Sequence, residues 1–269
     1  MRNPGQLPAP TGQFANSVRP AGEDEPGDVL DLMVNEALKF IKAHEPPEGY
    51  FIAFSGGKDS IVSLELTRMA GVRHQAFYSC SSIEPPEVVQ FIREFYPEVT
   101  FLYPERSFWE LIRKKFPPLK TKRWCCDFLR KYPSRKIPLK HRIMGMRMEE
   151  SRDRADRPRI ERNKREKTIV FKPLFSWKAW SIWDFIQRYR LPYPSLYDEG
   201  WERVGCVVCP FICSPTMKHI ERNRERWPGI YRAFEHAVTD WFLERKARGA
   251  NLREQTPEEY ITNWYKGQG

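Results

Sequence analysis

Short apolar runs alternate with amphipathic helical patterns through the first half of the chain. Residues 50–54, 74–79 and 100–103 are rich in aromatic residues and contain no Asp, Glu, Lys or Arg, which is typical of short strands. Between such runs, apolar residues recur three and four positions apart, as in 28–43 and 86–95, which indicates helices. Strands that alternate with helices at this spacing predict an α/β fold with a doubly wound parallel sheet.

The pattern changes after residue 190, where repeated Pro and Gly exclude long elements as far as residue 213. Helical patterns then return and continue almost to the end of the chain. The pattern predicts three parts: a disordered or loosely docked tail over residues 1–27, an α/β nucleotide-binding domain over 28–190, and a cysteine-containing loop with a C-terminal helical subdomain over 191–269.

The first predicted strand runs directly into a glycine turn that precedes a helical pattern. This geometry binds phosphate, because glycines let the backbone approach the oxyanions and the helix N-terminus favours negative charge. A lysine adds a positive charge and two serines add hydroxyl donors. The spacing differs from the usual P-loop, which has four residues before Gly-Lys, and a plain structural turn is the alternative. The residues of this loop are Ser55, Gly56, Gly57, Lys58, Asp59 and Ser60.

Positive charge is concentrated in one segment. Residues 120–167 contain 18 Lys or Arg against 7 Asp or Glu, in a chain of net charge +10. This imbalance indicates a polyanionic partner, either a nucleotide or a nucleic acid such as tRNA or DNA, and a solvated basic face is the alternative. The mean hydropathy is −0.65, no apolar run is long enough for a bilayer, and no signal-peptide pattern is present. We therefore expect a cytoplasmic protein without a membrane partner.

Four of the six cysteines form two closely spaced pairs. Cys125 and Cys126 are adjacent, and Cys206 and Cys209 follow about 80 residues later as a CxxC. Four converging thiolates suit an iron–sulfur cluster or tetrahedral zinc. Adjacent cysteines are unusual for a zinc site, so a 4Fe–4S cluster is favoured, with zinc and free buried cysteines as alternatives.

These motifs resemble a known family. The loop at residues 55–60 is similar to the PP-loop of ATP pyrophosphatases in the adenine-nucleotide α-hydrolase superfamily, which implies that it holds the β,γ-pyrophosphate of ATP. The tandem cysteines and later CxxC resemble the cluster motif of sulfonucleotide reductases. Gly145 and Arg147 resemble part of that family's anion-binding segment. Over about residues 45–215 the chain is identified as a member of the phosphoadenosine-phosphosulfate (PAPS) reductase family in the broad sense.

Three departures from the reductase pattern modify the expected activity. The PP-loop is intact, whereas that of sulfonucleotide reductases is usually degenerate. No cysteine follows Cys213, so the C-terminal nucleophile of those reductases is missing. Cys80, Ser81 and Ser82 replace the usual Asp-Thr-Gly. The first two departures favour ATP cleavage to AMP and pyrophosphate to adenylate an acceptor, followed by sulfur transfer to nucleic acid or a small molecule.

The resemblance implies roles for individual residues. Lys58, Arg147 and Mg²⁺ would neutralise charge on the nucleotide. Asp59 would orient Mg²⁺ or the loop, unless it only stabilises the helix N-terminus. Cys80 is either a nucleophile or a small buried residue. A sulfur-donor or reductant protein is an expected partner. The alternatives are a sulfonucleotide reductase that uses Cys80 or a partner's thiol, and a non-catalytic nucleotide- and nucleic-acid-binding accessory protein.

Overall fold

The fold is described from a computed structural model, and the description covers residues 26–268. The predicted tail over 1–27 lies outside the described residues, apart from its last two positions. Those two positions begin the first helix, which was predicted to start at Asp28.

Most predicted elements are present within a few residues of the expected bounds. Six strands are described: β1 (Tyr50–Phe54), β2 (His74–Ser79), β3 (Thr100–Leu102), β4 (His141–Met144), β5 (Ile160–Asn163) and β6 (Thr168–Phe171). The described helices are α1 (Pro26–Ala43), α2 (Lys58–Met69), α3 (Pro86–Phe95), α4 (Phe108–Lys114), α5 (Tyr132–Arg135), α6 (Arg152–Ala155), α7 (Ala179–Arg188), α8 (Lys218–Arg226), α9 (Pro228–Ala247) and α10 (Pro257–Tyr265). A π-helix, Cys126–Lys131, leads into α5.

The strands form a six-stranded sheet in the order β3-β2-β1-β4-β6-β5. β1 pairs in parallel with both β2 and β4, and β4 pairs in parallel with β6. The predicted α/β class with a mostly parallel sheet is confirmed. Chain order reverses at β1, because β2 lies on one side of it and β4 on the other, and ligands of such sheets bind where the order reverses.

One strand was not predicted. β5 lies in the charged stretch before residue 167 and pairs antiparallel with β6, with Ile160 opposite Phe171. Lys167, at φ +52, is in the turn between the two strands. The strand has no apolar alternation because its side chains are only partly covered, so the usual sequence signal is absent.

The chain divides into two compact units. Of the described residues, the first comprises 26–78, 86–101 and 137–204, and the second comprises 79–85, 102–136 and 205–268. The domain boundary predicted at residue 190 stays a prediction. Among the described residues, no helix has the length and hydrophobicity needed to cross a bilayer.

Each unit has its own apolar core. In the first, Ile52, Ile143 and Phe185 are fully buried, as expected for a sheet covered by helices. In the second, the ring of Phe234 in α9 lies 4.5 Å from that of Trp264 in α10. Both rings are almost completely buried, so these helices form a core of their own.

Candidate active site

The predicted phosphate loop, residues 55–60, follows β1 within the first unit. Gly56 has φ +72, and a Cβ there would lie 3.0 Å from the side chains of Val88 and Ile92. Only glycine adopts this conformation without strain, so the turn depends on it. Gly57 then takes the N-cap position of α2 without a side-chain cap, which leaves the first helical N–H groups available to other partners.

The two serines of the loop hydrogen-bond within it. Ser60 Oγ donates to the carbonyl of Gly57 at 2.8 Å and accepts from the backbone N–H of Ser55 at 3.1 Å. Ser55 Oγ in turn accepts from the N–H of Gly57 at 3.3 Å. These bonds fix the loop conformation, so both hydroxyls are engaged in bracing the turn. Their predicted role as phosphate donors stays a prediction.

Lys58 is buried, with 8% of its surface exposed, and both of its nitrogens have partners in the first unit. The ammonium donates to the carbonyl of Glu202 at 3.2 Å and lies 3.6 Å from Asp59 Oδ2. The backbone N–H donates to the hydroxyl of Tyr197 at 3.0 Å. Tyr197 was not singled out from the sequence, because nothing local indicates that its hydroxyl reaches α2.

The segment after β4 lies against the same loop. Arg147 Nε donates to Asp59 Oδ1 at 2.5 Å, and Arg147 also pairs with Glu149. Burial on its own lowers the pKa of Arg147, but the carboxylates of Asp59 and Glu149 outweigh it and raise that pKa. A Cβ on Gly145 would lie 2.5 Å from the carbonyl oxygen of Asp59, so glycine is required for this close approach.

Other basic residues of the 120–167 segment also have acidic partners. Arg154 pairs with Glu150, and Lys131 lies 3.1 Å from Asp127. These pairs reduce the charge that the segment offers to an external polyanion. Residues 120–136 belong to the second unit and residues 137–167 to the first.

The four predicted thiol ligands all lie in the second unit. Cys125 precedes the π-helix, which begins at Cys126. A hydrogen bond between these two thiols lowers the pKa of Cys126 and raises that of Cys125, and nearby basic residues including Arg130 lower the pKa of Cys126 further. Burial raises the pKa of Cys209 to about 11, and the charges of Cys206 and Cys126 act in the same direction. The tertiary structure therefore brings together two cysteine pairs that are far apart in sequence.

Polar side chains surround one of these thiols. Arg130 Nη2 donates to Cys206 Sγ at 3.1 Å, and the hydroxyl of Ser81 lies 3.6 Å from the same sulfur. Glu84, which is buried, accepts from the backbone N–H of Ser81 at 2.6 Å and lies 3.9 Å from Arg130. Glu84 was not singled out from the sequence, since a carboxylate two residues before a helix looks like an ordinary surface residue.

The remaining cysteines lie in the same unit. Cys80 Sγ is 4.0 Å from Glu84 Oε2, a thiol–carboxylate contact. Cys213 is buried and its thiol donates to the carbonyl of Cys209 at 3.7 Å. Burial raises the pKa of Cys213 to about 12. Among residues 26–268, no three His, Cys, Asp or Glu side chains are arranged to hold a single metal ion.

The chain has an α/β fold with a mostly parallel sheet, and a glycine turn lies between β1 and α2, where the strand order reverses. The family model for the phosphoadenosine phosphosulfate reductase domain matches residues 49–211, more than half of the chain. The chain therefore belongs to the phosphoadenosine phosphosulfate reductase family, and the family predicted from the sequence is confirmed.

Individual relatives agree with this assignment. An uncharacterized protein of Methanocaldococcus jannaschii is 30% identical over 236 residues, which cover 81% of this chain and 49% of that protein. An adenosine 5′-phosphosulfate reductase of Bacillus cereus is 26% identical, over 80% of this chain and 92% of its own length. The chain spans about half the length of the first curated relatives it matches.

A solved structure supports the fold. The PAPS reductase of Candida auris, in a phosphate complex, superposes with a TM-score of 0.52 at 15% sequence identity. The superposition covers 68% of this chain and 97% of the other.

Proposed function

We propose that this protein is a PP-loop enzyme that cleaves ATP to AMP and pyrophosphate in order to adenylate an acceptor, and that sulfur then displaces AMP. The intact loop at residues 55–60 carries this proposal. Its glycine conformation, its buried lysine and the close approach of Gly145 are features suited to holding a pyrophosphate group.

In the proposed reaction an acceptor oxygen attacks the α-phosphorus of ATP, and pyrophosphate leaves while it is held on the loop. Lys58 lies at the start of α2 and would supply positive charge to the leaving group. Arg147 is held by Asp59 and Glu149, so its guanidinium has a fixed direction before the nucleotide arrives, and these two carboxylates offset part of the positive charge that it offers. Preorganised charge of this kind lowers the barrier to phosphoryl transfer.

Asp59 does not fit as a ligand of Mg²⁺ in this arrangement. Arg147 occupies one of its oxygens and the ammonium of Lys58 lies 3.6 Å from the other, so the carboxylate is already neutralised by two cations. We assign Asp59 the role of orienting Arg147, and no step of the proposal depends on a magnesium ion bound to it.

The thiols of Cys125, Cys126, Cys206 and Cys209 are proposed to hold a 4Fe–4S cluster. Their chemistry fits such a group, because cysteine thiolates are its ligands and hydrogen bonds to their sulfurs stabilise it. Arg130 supplies such a bond to Cys206. When bound, the cluster would supply electron-transfer chemistry.

A sulfonucleotide reductase that forms sulfite is the second candidate. Relatives named adenosine 5′-phosphosulfate reductase and phosphoadenosine 5′-phosphosulfate reductase favour it. In this case Cys80, beside the carboxylate of Glu84, or a thiol of a partner protein would replace the missing C-terminal cysteine.

One assay separates the two candidates. Protein purified without oxygen is incubated with ATP, adenosine 5′-phosphosulfate and phosphoadenosine 5′-phosphosulfate, with Mg²⁺, a dithiol and bulk tRNA or DNA, and mass spectrometry identifies the nucleotide consumed. We expect ATP to yield AMP and pyrophosphate in the wild type and in Lys42→Met, but not in Lys58→Met. Release of sulfite from a sulfonucleotide would instead establish the reductase. Salt-dependent nucleic-acid binding without turnover would indicate the accessory protein.

A further inference from the structure

Residues 194–204, here called the strap, lie over the phosphate loop within the first unit. Three of their groups approach the loop. The Tyr197 hydroxyl bonds to the N–H of Lys58, the Glu202 carbonyl bonds to the ammonium of the same lysine, and a Cβ on Gly57 would lie 3.3 Å from Val204. The strap therefore covers the groups that the proposed function assigns to phosphate.

The contact of Tyr197 is the most specific of these. The N–H of Lys58 is in the first turn of α2, where helical N–H groups have no intrahelical acceptor and bind anions. The Tyr197 oxygen accepts from it at 3.0 Å, so it stands where a phosphate oxygen would accept. One N–H group cannot donate fully to both oxygens, and a phosphate on this group must displace the tyrosine.

Tyr197 is the buried part of the strap. Its side chain is 2% exposed, and its ring packs edge-on against Trp183 at 5.2 Å. Burial raises the pKa of its hydroxyl, and hydrogen bonds from the backbone of Lys58 and Val204 offset this only in part. The hydroxyl therefore stays neutral, and a neutral oxygen is a weaker acceptor than the anionic oxygen of a phosphate.

The phosphate loop is braced more firmly than the strap. Ser55 and Ser60 lock its turn, and Gly145 packs against Asp59 on its outer side. The strap has only one short helical turn, Ser195–Tyr197, and four of its residues are exposed, namely Ser195, Glu199, Glu202 and Arg203. When a ligand enters, the strap is the part that can move at lower cost.

We propose that the strap is a self-occupying gate, in which the Tyr197 hydroxyl and the Glu202 carbonyl hold the phosphate loop until a pyrophosphate group displaces them. This inference rests on the proposed function only in that the loop is taken to bind pyrophosphate. In this arrangement the Tyr197 hydroxyl competes with the ligand for the N–H of Lys58. Removal of the hydroxyl should therefore strengthen the binding of pyrophosphate.

The first measurement is calorimetric titration of the full chain with inorganic pyrophosphate and with ATP. Tyr197→Phe keeps the buried ring and removes the competing oxygen, so we expect about fivefold tighter binding, the ratio given by one ordinary hydrogen bond. The matched control is Tyr50→Phe, which removes the hydroxyl of another buried tyrosine of the first unit that donates to the carbonyl of Ile41 at 3.0 Å, and should leave the affinity unchanged.

The second measurement uses the wild-type protein and needs no variant. Pyrophosphate should accelerate hydrogen exchange of residues 194–204 and trypsin cleavage after the exposed Arg203. Slower exchange in the strap on binding would show that the strap closes over the ligand, and this would overturn the inference.

The outcomes distinguish this inference from the proposed function. If the wild type binds pyrophosphate and Tyr197→Phe binds it equally or more weakly, the gate is wrong while the phosphate loop stands. If Tyr197→Phe binds pyrophosphate and the wild type does not, the gate is supported, because the Tyr197 hydroxyl then blocks the loop completely. If neither binds pyrophosphate or ATP, the loop is not a phosphate site, and both proposals fail.

Discussion

Arg147 Nε lies 2.5 Å from Oδ1 of Asp59, so the segment after β4 is bonded directly to the phosphate loop after β1. The two residues are far apart in sequence, and the parallel pairing of β1 with β4 brings them together. Because the carboxyl ends of parallel strands meet at one edge of a sheet, both loops emerge side by side. The buried ion pair fixes the direction of the guanidinium.

We predict that Arg147→Met lowers kcat/KM for ATP cleavage by about 100-fold, as expected for the loss of one preorganised charged donor. The kcat/KM of Arg147→Lys should lie between that of Arg147→Met and that of the wild type. Lysine keeps the charge but cannot make the same pair of directed bonds. The exposed Arg152 provides the control, and Arg152→Met should have little effect. Steady-state kinetics would refute the role of Arg147 if both arginine-to-methionine variants behaved alike.

Gly145→Ala should loosen the contact between the two loops. The added Cβ would lie 2.5 Å from the backbone carbonyl of Asp59, which cannot move without distorting α2. We expect a loss of about 1–3 kcal/mol in the free energy of unfolding, measured by urea denaturation, together with weaker ATP binding. Gly229→Ala is the control, because the nearest atom to its Cβ is the end of the Arg232 side chain at 4.0 Å. Unchanged stability in Gly145→Ala would contradict the close approach.

The thiol assignment predicts a pattern of iron content. Anaerobically purified Cys126→Ser and Cys206→Ser should lose the cluster, because each removes one of four thiolate ligands. Cys80→Ser and Cys213→Ser, which alter neither cysteine pair, should keep it. Iron analysis and visible absorption measure this directly. Equal iron content in all four variants would contradict the assignment of the cluster ligands. Normal turnover in Cys80→Ser would exclude Cys80 as a nucleophile.

The side chain of Lys172 is fully buried. Its Nζ donates to Glu161 at 2.7 Å and to the carbonyl of Pro158 at 2.9 Å. We predict that Glu161→Ala destabilises the protein more than Lys172→Met, because it leaves a buried charge without its carboxylate partner, at a cost of about 3 kcal/mol. Urea denaturation of both variants tests this, and the reverse order would show that the lysine itself contributes most.

The elements with regular periods were predictable from the sequence. β2 has its predicted bounds, and Ser107 caps α4 as its sequence indicates, through a reciprocal bond pair with Glu110. The π-helix at Cys126 was not predictable, because its geometry depends on the residues packed around it.

The sequence by itself determined the phosphate loop, the α/β class, the family and the two cysteine pairs, because each of these depends on residues close together in the chain. Only the tertiary structure decided which residues from distant parts of the chain contact the phosphate loop and the cysteines. It placed Tyr197 on the N–H of Lys58, Asp59 on Arg147, and Glu84 beside Arg130. These contacts join residues from separate segments, and their energies depend on burial and direction. Local sequence patterns contain neither quantity.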